Sequence, residues 1–249
     1  MHRFISALVE SGLSTWLGRR LLTLFVSLTQ YRVFAPRTVS LMKFDLLRLH
    51  ARCMRTSIGK RPSSSKLHFG CGERQVSGWL NVDVAGGQSL VDLAGGSLPW
   101  EDSSFDVIAA QHVIEHLELT SELIPLLSEC CRVARPGAQI WLSCPDMERV
   151  CRSYVDHKGA DLIADRLSRP HRNLGLDGVP SQHMINNVFH QGGEHKNLFD
   201  LELLAWALSR GGFTGCRRAN EVEFLQRFPE FPHRNDDYHS IYVVARKHG

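Results

Sequence analysis

Residues 66–77 read Lys-Leu-His-Phe-Gly-Cys-Gly-Glu-Arg-Gln-Val-Ser, and Gly78-Trp79-Leu80-Asn81-Val82-Asp83 follow at once. The short apolar run Leu67 to Phe69 stops abruptly at Gly70-Cys71-Gly72. A buried parallel strand ends this way when the backbone must turn tightly and let a ligand approach without a Cβ in its path. A second short strand ends in Asp83, where a carboxylate can accept hydrogen bonds from a ribose diol. A glycine turn and an acid on two strand tips describe a site for a nucleoside-bearing cofactor.

The spacing narrows the class of cofactor. A dinucleotide fingerprint asks for a third glycine and an acid about 20 residues on. Here Glu73, Arg74 and Gln75 follow Gly72, and Asp83 comes only eleven positions later. No full helix fits in that gap, so a helix N-terminus able to hold a pyrophosphate is not expected. A cofactor with adenosine and no phosphates suits the spacing better, and a nicotinamide oxidoreductase is disfavoured.

Beyond Asp83 the chain alternates strand and helix. Leu90 to Leu93 reads as a short strand with Asp92 near its end, and Phe105 to Ala110 as a buried strand. Ser121 to Ala134 has helical spacing of Leu123, Leu126, Leu127, Cys130, Cys131 and Val133, and runs into the stop signal Arg135-Pro136-Gly137. Gln139 to Cys144 is another strand, closed by Pro145-Asp146. Asp200 to Arg210 is a helix with Asp200 as N-cap and Gly211-Gly212 as its end. Ser240 to Ala245 supplies a last strand. Such alternation predicts a parallel sheet with helices on both faces and a ligand at the strands' carboxyl ends. The pattern breaks over 146–197, where helices near Met147–Asp156 and Ala160–Leu167 precede a loop rich in Gly, His and Asn. An insert at that edge suits a substrate lid.

Length and composition bound the rest. At 249 residues and 43% hydrophobic the chain can bury one substantial core with an appendage. Seven cysteines, with no C-x-x-C pair, point to a reduced, cytoplasmic protein. The net charge of +3 hides an asymmetry, because residues 1–62 hold eleven Lys and Arg against two acids. Arg61-Pro62-Ser63-Ser64-Ser65 reads as a linker, which separates a prefix (1–62) from a main domain (63–249). Within the prefix an apolar stripe from Ile5 to Leu28 marks a basic amphipathic helix. Its longest uncharged run, Leu21 to Tyr31, is eleven residues, short of the roughly 20 needed to span a bilayer, and no signal-peptide cleavage site follows. The helix either lies peripherally on an anionic membrane surface or packs on the core with its arginines solvated. The second is favoured, since Gly12 and Gly18 weaken a free-standing helix.

In combination these segments resemble the class I S-adenosylmethionine-dependent methyltransferases, in particular a broad bacterial group, the type 11-like methyltransferases. The resemblance rests on Phe69-Gly70-Cys71-Gly72, Gly78-Trp79-Leu80-Asn81-Val82-Asp83 and Leu98-Pro99-Trp100-Glu101-Asp102-Ser103-Ser104-Phe105-Asp106. It continues through His112-Val113-Ile114-Glu115-His116-Leu117 and Arg132-Val133-Ala134-Arg135-Pro136-Gly137 to Gly193-Glu194-His195-Lys196-Asn197, and covers about residues 66–246. It implies an α/β, doubly wound, mainly parallel seven-stranded sheet, here with an N-terminal helical prefix. It also implies S-adenosyl-L-methionine as cofactor. Phe69, Gly70, Cys71 and Gly72 would pass under its methionine portion, and Asp83 with Val84 would take the ribose hydroxyls. Asp92 with Leu93 would face adenine, and Gln111 and His112 would line the floor. Two positions depart from the family: His68 stands where an acid is usual, and Arg74 where a third glycine is usual.

Methyl transfer from a sulfonium needs alignment and exclusion of water more than it needs a base. A base matters only for an acceptor that keeps a proton, as a hydroxyl does. The candidates are His195 from the lid, His112 at the floor and Asp146. No metal is expected, because His171, His183, His190 and His195 show neither H-x-x-x-H spacing nor a carboxylate partner. The expected activity is methylation of a small-molecule or saccharide acceptor. One rival is a non-catalytic cofactor-binding scaffold, marked by His68 and Arg74. Another is a nucleic-acid methyltransferase, disfavoured because no N-P-P-Y-type tetrapeptide is present and the basic prefix is apolar-striped.

Overall fold

The computed structural model describes residues 35–55, 58–168 and 178–248. Five strands run parallel: β1 (Lys66–Phe69), β2 (Leu80–Asp83), β3 (Ser89–Leu90), β4 (Phe105–Gln111) and β5 (Ala134–Pro145). β6 (Phe213–Ala219) and β7 (Ser240–Lys247) complete the sheet, with β7 antiparallel between β5 and β6. The spatial order is β3-β2-β1-β4-β5-β7-β6. The chain leaves β1 toward β2 and β3, then crosses back to β4 on the other side. That reversal opens a crevice at the carboxyl ends of β1 and β4, where ligands bind in sheets of this kind.

The helices are α1 (Pro36–Met54), α2 (Ile124–Val133), α3 (Met147–His157), α4 (Ala160–Leu167), α5 (Gln182–His190), α6 (Leu201–Arg210) and α7 (Glu221–Arg227). Side chains on one sheet face, among them Phe69, Ile108, Ile140 and Val243, pack with Leu126, Leu127, Leu204 and Leu208 of α2 and α6. The opposite face carries an aromatic cluster of Trp79, Trp141, Phe224, Phe228, Phe231 and Tyr242. Edge-to-face contacts such as Trp79–Phe231 at 4.9 Å and Phe224–Phe231 at 4.8 Å hold it together. The helix caps follow the local sequence: Asp200 accepts from the Leu203 amide and Asp146 from the Arg149 amide.

Several expectations change. The strand expected over Leu90–Leu93 is only Ser89–Leu90, because the chain turns into a 3-10 helix at Leu93–Gly95 directly after Asp92. The helix expected from Ser121 starts as a π turn, Leu119–Leu123, capped by Glu118. Arg135-Pro136-Gly137 does end α2, yet it lies inside β5 at a bulge opposite Phe105 to Val107. In the insert, α5 forms where a loop was expected. Met184, Ile185 and Val188 bury against Val150 and Leu162, which supplies the apolar face that the flanking His and Asn obscure. The stripe Ile5–Leu28 and His171 lie outside the described residues. No helix of the described residues is long and apolar enough to cross a membrane.

His68, the departure from the family pattern, belongs to the aromatic face. Asn81 Nδ2 donates to the carbonyls of Val76 and Trp79, which fixes the amide's orientation and turns Oδ1 toward the Val76 amide and His68 Nδ1. Nδ1 of His68 must therefore carry the proton. Burial lowers its pKa to about 4, the Asn81 hydrogen bond opposing this, so the ring is neutral. Its edge meets Phe231 at 4.9 Å. Restoring the family's acid with His68→Asp would set a buried carboxylate against the Asn81 carbonyl oxygen. The expected cost is about 3 kcal/mol, read as a lower urea midpoint with an unchanged slope.

Candidate cofactor cleft

The glycine turn is built by backbone conformation. Gly70 has φ +67, and a Cβ there would lie 2.1 Å from Cγ2 of Val113 in the loop after β4. Glycine is therefore required where the two strand ends approach. Gly72 has φ +52 with open space where a Cβ would point, so its backbone edge can be approached. The Gly70 and Cys71 amides donate to the Val82 carbonyl, and the Gly72 amide donates to Asp83 Oδ2 at 2.7 Å. Asp83 Oδ1 accepts from the Val84 amide at 2.6 Å. Burial raises the Asp83 pKa, and these backbone donors oppose the rise. The Cys71 thiol is pushed up to about 12, first by burial and then by Asp83, so it remains protonated.

These tips open into a cleft of about 410 Å³, a size that suits a small organic ligand. Gly70, Asp83, Val84, Asp92, Leu93 and His112 line it. The side chains of Phe69 and Cys71 are buried, and Gln111 is buried with its Nε2 lacking a hydrogen-bond partner. Asp146 stands elsewhere. It caps α3, accepts from Arg218 at 2.7 Å, and lines a separate, polar cleft with Arg149, Arg152 and Tyr238.

His112 occupies a strained backbone position, φ +57. Its Nε2 lies 2.8 Å from Asp236 Oδ2 and 3.0 Å from Ser240 Oγ, and its Nδ1 lies 3.2 Å from Glu115 Oε1. Burial opposes charge on this ring, yet Asp236 and Glu115 outweigh it and raise its pKa. Asp236 is in turn fixed by Tyr242 and Arg234. With acidic partners on both nitrogens, His112 is held as an imidazolium and offers no lone pair.

His195 is placed differently. Its Nδ1 donates to the Val188 carbonyl at 2.5 Å, so its Nε2 keeps the lone pair. Burial lowers its pKa, which favours the neutral ring. His195 stacks edge-on to His116 at 5.0 Å. Sequence reasoning missed the companions of this residue: one donor atom from each of Glu115, His116 and His195 lies within 4.8 Å of the others. Some 79 residues separate the two segments, so spacing alone could not reveal the group, and the expectation of no metal rested on spacing. The signal that could have pointed to it is the Glu115-His116 pair shortly after a buried strand.

α1 was also missed as part of the site. Leu41, Phe44 and Arg48 of α1 line the cleft. Arg48 and Arg52, beyond the Ile5–Leu28 stripe, donate to the two oxygens of Asp92 at 3.0 and 2.6 Å. The carboxylate expected to face adenine is thus shared with the helix that roofs the cleft.

Residues 67–142 match the model of the methyltransferase domain family. The chain carries a class I S-adenosylmethionine-dependent methyltransferase domain. S-adenosylmethionine is its methyl donor, and the glycine turn and Asp83 fit that group. No curated protein matches the chain. Among solved structures the methyltransferase is similar to a SAM-dependent methyltransferase from Archaeoglobus fulgidus, with 16% identity over 81% of this chain and 94% of that one, TM-score 0.41. It is similar at 16% identity to another from Methanosarcina mazei, over 79% and 97%, TM-score 0.42. A third, from Mesorhizobium loti, shares 16% identity over 79% and 96%, TM-score 0.40.

The two ion pairs to Asp92 tether α1 over the cofactor cleft. Arg52 is half exposed, so the pairs together contribute about 1–2 kcal/mol. In the double variant Arg48→Ala, Arg52→Ala, backbone amides of α1 should exchange with deuterium roughly tenfold faster, while those of β4 and β5 stay unchanged.

Proposed function

We propose that this methyltransferase acts on a small polar acceptor, a saccharide-type hydroxyl compound being the best fit, which enters between α1 and the insert. The observation that carries the reading is a cleft with two chemically distinct ends. At one end Gly70, Asp83, Val84 and Leu93 combine a glycine cradle, a carboxylate and apolar walls. At the other, His116, Glu122, Glu194 and Lys196 present polar and charged side chains. An acceptor rich in hydroxyls is recognised by such groups, whereas a lipid-like one is not.

S-adenosylmethionine supplies an electrophilic methyl group on a positively charged sulfur. The residues of this chain bind, orient and exclude water. Asp83 accepts from the ribose hydroxyls with lone pairs that the Gly72 and Val84 amides leave free. Gly70 and Gly72 let the methionine portion lie against the backbone. His112, fixed by Glu115, Asp236 and Ser240, holds the end of β4 in the conformation that shapes the floor. α1 covers the adenosine end, with Leu41 and Phe44 as apolar wall. α1 then acts as a cover of the main domain, and Gln191 to Lys196 of the insert form the acceptor side.

His68 lies on the aromatic sheet face, away from the residues lining the cleft, and so lends no support to a non-catalytic scaffold. Calorimetric titration of the full chain with S-adenosylmethionine and S-adenosylhomocysteine tests the cofactor site. Micromolar binding is expected, weakened at least tenfold in Asp83→Ala, with NAD not binding. A screen of hydroxylated acceptors with labelled methyl donor then tests the acceptor class. Label on amine acceptors alone would overturn it.

A further inference from the structure

Three side chains come together at the acceptor end, Glu115, His116 and His195. Glu115 is fully buried, and neither of its carboxylate oxygens has a hydrogen-bond partner. Its one charged contact there is the ion pair of Oε1 with His112 Nδ1 at 3.2 Å. The His112 imidazolium reaches only that oxygen, and a buried carboxylate whose other oxygen has unfilled lone pairs is costly unless a further cation completes it.

The two imidazoles are oriented as ligands are. His195 Nδ1 donates to the Val188 carbonyl, and His116 Nδ1 lies 3.2 Å from the Glu194 carbonyl. A carbonyl only accepts, so both rings carry their proton on Nδ1 and keep a lone pair on Nε2. An outer hydrogen bond of this sort is what fixes the tautomer and direction of a metal-bound histidine. Backbone ties hold the two segments together, since the amides of Lys196 and Asn197 both donate to the Glu115 carbonyl. The ligand-bearing loop is therefore pinned to the ligand-bearing turn.

We propose that Glu115, His116 and His195 form a binding site for a divalent transition-metal cation. Two imidazole nitrogens and one carboxylate suit zinc, iron(II), cobalt or manganese, and suit magnesium or calcium poorly. Three protein ligands leave coordination positions open, and one of the three, His116, lines the cleft. A tetrahedral zinc with bonds of about 2.1 Å spaces its donors about 3.4 Å apart. The three donor atoms lie within 4.8 Å of one another, so binding draws the insert toward β4. Resting on the methyltransferase reading above, the site narrows the acceptor to one that offers an oxygen as metal ligand.

The test is titration of the metal-free full chain with cobalt(II) and zinc(II), followed by calorimetry and by the visible spectrum of the cobalt form. One equivalent should bind. His116→Ala and His195→Ala should each weaken it at least tenfold, while the exposed His183→Ala should not. Thermal melts of each metal-free variant show whether it is folded. X-ray absorption of the zinc-loaded wild type needs no variant, and should show nitrogen and oxygen neighbours without sulfur. Failure to bind, equal binding by the two site variants, or sulfur in the zinc shell would each overturn the site. S-adenosylmethionine titration of the same metal-free protein reports the cofactor cleft separately. Its success beside a failed metal titration would remove the cation site and leave the methyltransferase reading standing.

Discussion

A single carboxylate, that of Asp83, joins the ends of the first two strands. One of its oxygens closes the glycine turn through the Gly72 amide, and the other holds the chain's exit through the Val84 amide. The strand tips have no other side chain so placed, and without it the turn would have two unpaired amides beside an apolar cleft. The acid thus has a structural duty before it has a ligand. Beside that turn Gly70, lacking a Cβ, lets Val113 approach from the loop after β4, so the held turn and the crevice between β1 and β4 share one set of backbone positions.

Four of the five parallel strands were readable because they are mostly buried, and burial writes apolar runs; β3, two half-buried residues, was misread. What failed were elements whose stabilisation comes from afar. β6 exposes most of its side chains, carries Arg217 and Arg218, and is broken by a bulge near Gly215, so no alternation marks it. α7 has only seven residues and gains its hold through the aromatic cluster. α5 hides three apolar residues among His and Asn. In the site, Gly70, Asp83, Val84, Asp92, Leu93 and His112, expected from the sequence to share a site, line one cleft. Asp146, named as a candidate base, lines a different one, because its place after a strand does not fix the direction of its side chain.

The same limit explains α1. Its Lys and Arg residues are four among the eleven of the first 62 positions, and nothing in their spacing singles them out. Only the fold brings Arg48 and Arg52 to Asp92, about 40 positions away, and makes the helix a wall of the cleft. The buried charges on that side of the molecule are arranged in pairs and chains: Asp92 with two guanidiniums, and His112 between Glu115 and Asp236. Such networks are costly when broken and give little when complete. They are consistent with a region kept polar for what binds there and not for stability alone.

The position of β7 has a consequence for how the molecule is made. β6 leaves the ribosome first, but its place in the sheet is beyond β7, so it has no strand to pair with until the last strand has emerged. β5 likewise presents an open edge over that interval. The parallel half can assemble during synthesis, whereas the antiparallel half must form as one late event, with β7 threading its pairs to β5 and β6 together. For that period the nascent chain carries two unpaired strand edges, and the hazard of pairing with another chain is concentrated there.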